Sequence, residues 1–481
     1  MSIRVITLVF TVYLSFAAGN VLAHQDSQSA VYVAPGGVDS GRCDDAAVPC
    51  NSIAYALRWV SKGGQIRLAE GAYRITRAED IFHLVSAAVD VHGGFRRDDG
   101  FQTRADTPST LIGVPQEYRD FLATRGFHVI SDRKGIDQDV AVGVQKLMVL
   151  HQSQKAGLAS TPCDNGFANG LACSDVDLLS HVALSDVSAN PGAAADVWGF
   201  VDLNTDREYA IVSYDNGTAV FDVTDGEKPR EVGFVAGQNT IWRDIKVRQV
   251  WNTLESRWDA FAYVTSDATT EGLFVIDLSG LPHSIERVSY TGDFAAAHNV
   301  YATNTDFGTG LALMNDAAPL IVAGSNNASG RFRSYALSDP ASPAFVTLPP
   351  VASSGYMHDA ASMLITDARK DLQCANGGSF CDVLFDFNES AFVIWDVTVA
   401  DSPVRLSSTD YSNRQYVHSG WPSEDGQFLF THDELDEQNL GLQTTLRVFS
   451  LADLRAPDPV GTWLGPTPAI DHNGFVRGNR Y

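Results

Sequence analysis

From about Val176 onward the chain alternates apolar and polar residues in short runs, and each run ends in a turn rich in Asp, Gly, Ser or Pro. Alternation with a period of two predicts β-strands, because successive side chains of a strand point to opposite faces. Five of these runs form a series: "TAVFDVTDGEKP", "LFVIDLSGLPHS", "RSYALSDPASP", "FVIWDVTVADSP" and "LRVFSLADLRAP". Aligned on Asp222, Asp277, Ala336, Asp396 and Ser450, they recur at intervals of 55, 59, 60 and 54 residues. In all but the second, a proline stands seven residues past the aligned position and closes the loop.

A second mark keeps time with the first. Trp242 lies 20 residues beyond Asp222, His298 lies 21 beyond Asp277, and His358, His418 and His472 each lie 22 beyond their own aligned residue. These residues open the phrases "AHNVYATN", "MHDAASML", "VHSGWPSE" and "DHNGFVRG", and Trp198 in "DVWGFVDL" is expected to open the first unit in the same way. Between opening phrase and aligned strand lies one further strand, visible in "YAIVSYDNGTAVFD" as a hairpin with a turn at Asn216-Gly217; a fourth, such as "REVGFV" or "PAFVTL", follows. Four short antiparallel strands per repeat predict an all-β fold, a β-propeller built of four-stranded blades over residues 176–481. The segment "VDLLSHVAL" is expected to supply an outer strand to the closing blade.

The upstream residues follow other patterns. Arg4, the apolar stretch from Val5 to Ala18 and Val21-Leu22-Ala23 have the three parts of an export signal, so residues 1–23 are set apart from the fold. Residues 24–113 contain a strand, a Gly/Asp-rich loop, a helix at Ile53 to Val60, a strand at Gln65 to Leu68 and a turn at Gly71, followed by "VDVHGGFRRDDG" and "PSTLIG". This order resembles the opening of right-handed parallel β-helix proteins of the pectate-lyase-like superfamily, whose catalytic residues are not visible here. Residues 114–175 carry apolar positions at helical spacing and read as a helical linker ending in the Cys163 to Cys173 loop.

The strands "VFDVTD", "VIDLSG" and "IWDVTV" resemble LVIVD repeats. With "DVWGFVDLNTDREYAI", "HNVYATNTDFGTG", "HDAASMLITDARKD", "THDELDEQN" and "DHNGFVRGNRY", they make the chain from about Cys163 similar to the choice-of-anchor B family of bacterial secreted proteins. The resemblance implies a propeller and a surface location, and it supplies no activity. Members of that family continue past "GNRY", whereas nine residues follow His472 here. The expectation is therefore five fuller blades and an incomplete one with exposed strand edges, the chain being either cut short or a variant without closure and anchor.

Composition narrows the partners. A formal charge of −24 argues against nucleic acid and anionic membrane surfaces as partners, since like charge repels. No run after the leader has the ~18 apolar residues needed to span a bilayer, so the chain is expected to be exported, to the cell surface, the medium or the periplasm, and to meet protein or glycan partners. Its six cysteines fall as close pairs, Cys43 with Cys50, Cys163 with Cys173 and Cys374 with Cys381, which in an exported chain predicts three disulfides; the CxxC spacing of a metal site is absent.

Neither GxSxG, HExxH nor GxxxxGK[ST] occurs. Two places offer chemistry. Asp433, Glu434, Asp436 and Glu437 in "THDELDEQN" have the hard oxygen donors of a Ca²⁺ loop without its full pattern, and read more readily as a solvated loop at a blade edge. Trp198, Trp242, His298, His358, His418 and His472, with Asp244, Asp359 and Asp471 beside them, are expected to face the central channel. There the imidazoles either hold a divalent cation or serve as acid/base groups, or they tie blades together by donating to backbone carbonyls. The sequence favours a secreted or cell-surface binding propeller without an evident catalytic site, the alternative being a metal-dependent hydrolase or lyase in the channel.

Overall fold

The structure, a computed structural model, describes residues 30–60, 63–86, 88–131, 138–314, 318–350 and 355–481. The leader expected at 1–23 lies outside them. Strands β1 (Ala30–Val33), β2 (Gln65–Ala69) and β4 (Asp90–Phe95) form one parallel sheet, while β3 (Gly71–Arg74), β5 (Ser109–Ile112) and β6 (Phe127–Ile130) form a second. Helices α1 (Ile53–Ala56), α2 (Ala78–Val85), α3 (Arg119–Thr124) and α4 (Gln138–Gln154) complete the module. Ser52 caps α1 by accepting from the Tyr55 backbone N–H.

The parallel ladder runs further than residue 113. Phe127 and Val129 alternate inward from β6, and Val114, Leu122 and Val144 join the same core, so most of the segment read as a linker is part of this module. Gly126 makes that last coil fit: its φ is +86° and a Cβ there would lie 2.3 Å from the Gly93 carbonyl oxygen.

After the short hairpin β7 (Phe167–Ala168) and β8 (Leu171–Ala172), five four-stranded antiparallel sheets follow in chain order. Blade 1 is β9 (Ala194–Asp202), β10 (Arg207–Tyr214), β11 (Gly217–Asp222) and β12 (Arg230–Ala236). Blade 2 is β13 (Arg243–Asn252), β14 (Arg257–Ser266), β15 (Leu273–Asp277) and β16 (Glu286–Thr291). Blade 3 is β17 (Ala297–Ala302), β18 (Leu320–Ser325), β19 (Arg333–Ala336) and β20 (Ala344–Thr347). Blade 4 is β21 (Asp359–Ile365), β22 (Cys381–Phe387), β23 (Phe392–Asp396) and β24 (Val404–Thr409), with α5 (Arg369–Leu372) inserted. Blade 5 is β25 (Val417–Pro422), β26 (Phe428–Asp433), β27 (Thr445–Ser450) and β28 (Asp458–Leu464), with α6 (Asp436–Leu440) inserted.

The five aligned residues of the sequence repeat, Asp222, Asp277, Ala336, Asp396 and Ser450, are each the last residue of a third strand. Where that residue is Asp it shapes the following turn: Asp222 accepts from the Thr224 N–H, Asp277 from Ser279 and Asp396 from Thr398. The first strands of successive blades pack side by side, which makes them the inner wall of a propeller.

Period-two alternation divides each blade between two cores. From β14 and β15, Ala262, Val264, Phe274 and Ile276 face blade 1, while Phe261, Tyr263, Leu273 and Val275 face blade 3. The same arrangement joins blade 3 to blade 4 and blade 4 to blade 5.

Beyond β28 the chain forms no further strand, but residues 470–476 extend along the inner wall after β25. There Phe475 lies 5.0 Å from Trp421 of blade 5 and 6.2 Å from Trp198 of blade 1, ring centroid to centroid. The C-terminal segment thus bridges the two ends of the blade series. "VDLLSHVAL" is not a propeller strand: its contacts are isolated bridges, Leu158 to His181 and Thr161 to Leu178, and Val182 and Leu184 lie over the outer face of blade 1. All seven residues of β28 are exposed, Trp463 and Leu464 among them.

The three predicted disulfides are present. Among the described residues no helix is long and apolar enough to cross a membrane.

Phe385 is fully buried between blades 4 and 5. Phe385→Ala is expected to lower stability by about 3–5 kcal/mol in guanidinium denaturation. Val460→Ala on exposed β28 is expected to change it by less than about 0.5 kcal/mol.

Candidate functional site

The pairing register fixes which inner-wall residues share a level. It carries Asp222 through Tyr209 to Phe200, Asp277 through Phe261 to Arg248, and Asp396 through Val383 to Met363. His358 is five residues before Met363, but Trp198 is only two before Phe200, and the residue five before Arg248 is Arg243 rather than Trp242. Trp198 is therefore not at the histidine level. Its register mates are Lys246 and, three residues past each histidine, Tyr301, Ala361, Trp421 and Phe475.

Most of these residues pack on one another. Trp421 contacts Tyr301, Phe307 and Phe475, the Phe475 ring reaches Trp198, and the Lys246 ammonium sits 4.6 Å from the centre of the Trp198 ring. The cavity left among them is about 10 Å³, roughly one water.

One level toward the histidines is a charged layer. Lys246 Nζ donates to Asp244 Oδ1 at 2.7 Å, Asp244 Oδ2 accepts from the Val300 N–H, and Asn299 Nδ2 donates to Asp359 Oδ1 at 2.8 Å. Burial and the Asp244 charge push the Asp196 carboxyl up to about 8, and burial pushes Asp359 up to about 6 against the pull of Lys246. Burial disfavours the Lys246 charge, but Asp244, Asp196 and Asp359 outweigh it and hold the ammonium above its ordinary range.

The histidines come together. Ring centroids are 4.4 Å apart from His298 to His358, 4.3 Å from His358 to His418 and 4.0 Å from His418 to His472. His298, His358 and His418 are buried, whereas the His472 side chain is 54% exposed. Each is set differently. His298 Nδ1 pairs with Asp267 at 2.7 Å, an interaction that outweighs burial and raises its pKa. His358 Nδ1 meets the His418 carbonyl at 3.1 Å, which is the backbone-tying role the repeat suggested. His418 Nε2 and His472 Nε2 face the two oxygens of Glu434, each at 3.8 Å. Burial pushes Glu434 up to about 7, with the Asp471 and Asp433 charges adding to it and His298 opposing.

The acidic stretch 433–437 is not a solvated loop. Asp433, Asp436 and Glu437 are buried. Asp433 binds the N–H groups of Gln415 and Tyr416 and the Tyr411 hydroxyl. Asp436 and Glu437 turn away from Glu434 toward Asp471, and burial together with the facing Asp436 carboxyl pushes Glu437 up to about 8.

Several neighbours escaped the sequence reading. His432 alternates with Phe430 along β26, so both rings face Tyr481; His432 Nδ1 pairs with Asp471 Oδ2 at 2.7 Å and Nε2 meets the Tyr481 hydroxyl. Glu389 accepts from the Tyr416 hydroxyl at 3.0 Å, beside the His358 ring. The alternation "FLFTHD" carried the signal for His432; nothing local marked Glu389 or Asp267.

No family model matches the chain, and no curated protein sequence matches it. Solved structures similar to it include the Pseudomonas aeruginosa periplasmic gluconolactonase PpgL, with 11% identity and a TM-score of 0.38 over 56% of this chain and 71% of that one. The β-propeller domain of Myceliophteria thermophila Cps50 (Swd1) gives 11% identity and a TM-score of 0.36 over 59% of this chain and 77% of that one. A Lactobacillus plantarum protein gives 13% and 0.38, over 56% and 72%. At these scores the propeller rests on the sheet topology and register above, and no activity transfers.

Two buried acids in blade 4 make stability depend on pH. Burial pushes Asp382 and Asp386 each up to about 7, Asp386 against a hydrogen bond from Trp395 Nε1. The folded state therefore holds these protons more tightly than the unfolded chain, so their contribution is greatest in acid and falls as pH rises from about 4 to about 7. Denaturation midpoints are expected to drop between pH 5 and pH 7, with Asp196 and Glu437, held up to about 8, extending the fall toward pH 8. Asp386→Asn, which keeps an acceptor for Trp395, is expected to flatten that slope by up to about 1.4 kcal/mol per pH unit.

Proposed function

We propose that the chain is an exported propeller that binds its ligand at the histidine-lined mouth of the channel, through a divalent transition metal held by His418, Glu434 and His472. The observation that carries this reading is the convergence of the three side chains, whose donor atoms all lie within 4.8 Å of one another. Two imidazoles and a carboxylate suit Zn²⁺ or a neighbouring first-row ion, and three protein donors leave a coordination position for a ligand. Bond lengths of ~2.0–2.2 Å place neighbouring donors of a tetrahedral site about 3.4 Å apart; the 3.8 Å separations here run to the two different oxygens of Glu434 within a set spanning up to 4.8 Å, so binding draws the imidazoles in and either turns one oxygen toward both or engages both oxygens. Exposure of His472 opens a path to that position.

The leader-like residues 1–23, the three disulfides and the resemblance of the repeats to the choice-of-anchor B family support export to the cell surface, with a protein or glycan as partner. A second reading, a metal-dependent hydrolase or lyase, draws support from Glu389 and Tyr416 next to His358, groups able to exchange a proton near a metal-bound ligand.

The test is elemental analysis of the full chain after purification and metal loading, with circular dichroism as the check on folding. About one Zn²⁺ per chain, lost in a folded His418→Ala, His472→Ala double variant, is the expected result. No stoichiometric transition metal in the wild type sinks the metal centre. Turnover of ester or glycoside substrates that needs the metal moves the assignment to the second reading. Cell fractionation checks export: the chain is expected outside the cytoplasm, and loss of residues 1–23 is expected to retain it there.

A further inference from the structure

The neighbouring carboxylates form a separate centre. Asp436, Glu437 and Asp471 come from α6 and from the C-terminal segment, are 0%, 4% and 7% exposed, and bring oxygens within 4.8 Å of one another. Each uses one oxygen to fix its orientation. Asp436 Oδ2 accepts from the Arg447 guanidinium, Glu437 Oε1 from the Thr445 N–H at 2.9 Å, and Asp471 Oδ2 pairs with His432 Nδ1 at 2.7 Å. The other three, Asp436 Oδ1, Glu437 Oε2 and Asp471 Oδ1, are buried and take no hydrogen bond from any N–H or hydroxyl donor among the described residues. Asp436 and Glu437 face each other closely enough to share a proton.

A buried carboxylate oxygen without a donor is costly, and here Asp471 Oδ1 has none while Asp436 and Glu437 are relieved only by a proton held between them. A cation at their centre would displace that proton and give all three oxygens a counter-charge. We infer that Asp436, Glu437 and Asp471 bind Ca²⁺, and that the ion fastens the C-terminal segment to blade 5. The donors are all carboxylate oxygens, which selects a hard ion and distinguishes this centre from the imidazole set beside it. Ca²⁺–oxygen bonds of about 2.3–2.6 Å hold ligands no more than about 5 Å apart, a condition that three oxygens within 4.8 Å of one another meet. Ca²⁺ also accepts the irregular geometry of three side chains from two segments, with water completing the shell, where Mg²⁺ demands a near-regular octahedron. The inference does not depend on the transition-metal reading.

The experiment uses the full chain, freed of metal by EDTA and desalted, then titrated with Ca²⁺ by calorimetry and by displacement of luminescent Tb³⁺. One Ca²⁺ per chain is expected, with a thermal midpoint several degrees higher at millimolar Ca²⁺ and slower proteolysis within residues 465–481. Glu437→Gln is expected to weaken Ca²⁺ at least tenfold, whereas His418→Ala, which breaks the imidazole set, leaves Ca²⁺ affinity unchanged. Absence of saturable Ca²⁺ binding, wild-type affinity in Glu437→Gln, or equal affinity for Mg²⁺ overturns the assignment. Should Glu437→Gln fail to fold, Tb³⁺ displacement in the wild type decides: emission that Ca²⁺ does not quench refutes the site.

Discussion

The molecule depends on the side-by-side packing of the first strands of its blades. Because those strands start from a common register, a residue type repeated in sequence is repeated at one height around an axis, and its copies meet. That is how four histidines about 55 to 60 residues apart come to stand ring against ring, and how aromatic groups three residues further on come to fill the same axis. The inter-blade cores enforce it: a strand that slipped by one residue would turn Phe261 and Tyr263 toward blade 1 and leave blade 3 uncovered.

Where the blade series ends, a different contact takes over. Residues 434–437 and 471–472 lie against each other, and neighbours in sequence part company there: Glu434 and His472 turn to the imidazoles, while Asp436, Glu437 and Asp471 turn to one another. The position of the C-terminal segment therefore governs two centres at once. His432 and Tyr481 hold it from the other side. Gln438 Nε2 also donates to the Arg58 carbonyl at 2.7 Å, so α6 touches the N-terminal module as well.

Much of this was legible in the residues. The constant spacing from Asp277 to His298 and from Asp396 to His418 follows from one strand, one loop and one strand of fixed length, and the five aligned residues proved to be the ends of third strands. Spacing along the chain does not report register across a sheet, which is why Trp198 was set at the histidine level although it stands three residues along the wall. Burial was equally hidden: acids at 433–437 look solvated in sequence, and their partners lie elsewhere in the chain, Tyr411, Gln415 and Tyr416 on one side, Thr445 and Arg447 on the other, with Asp471 some 35 residues away. The module boundary was misplaced at 113 because β6 has only four residues, and only the parallel pairing of Leu111 with Val129 identifies it as another coil.

The aromatic layer of Trp198, Tyr301, Phe307, Trp421 and Phe475 has a mechanical meaning. Trp421 touches the rings of Tyr301, Phe307 and Phe475, and Phe475 touches Trp198, so one chain of ring contacts runs from blade 3 through blade 5 and the C-terminal segment to blade 1. Such a chain works as a clasp: the ends of the blade series are held through it no more firmly than its weakest link allows.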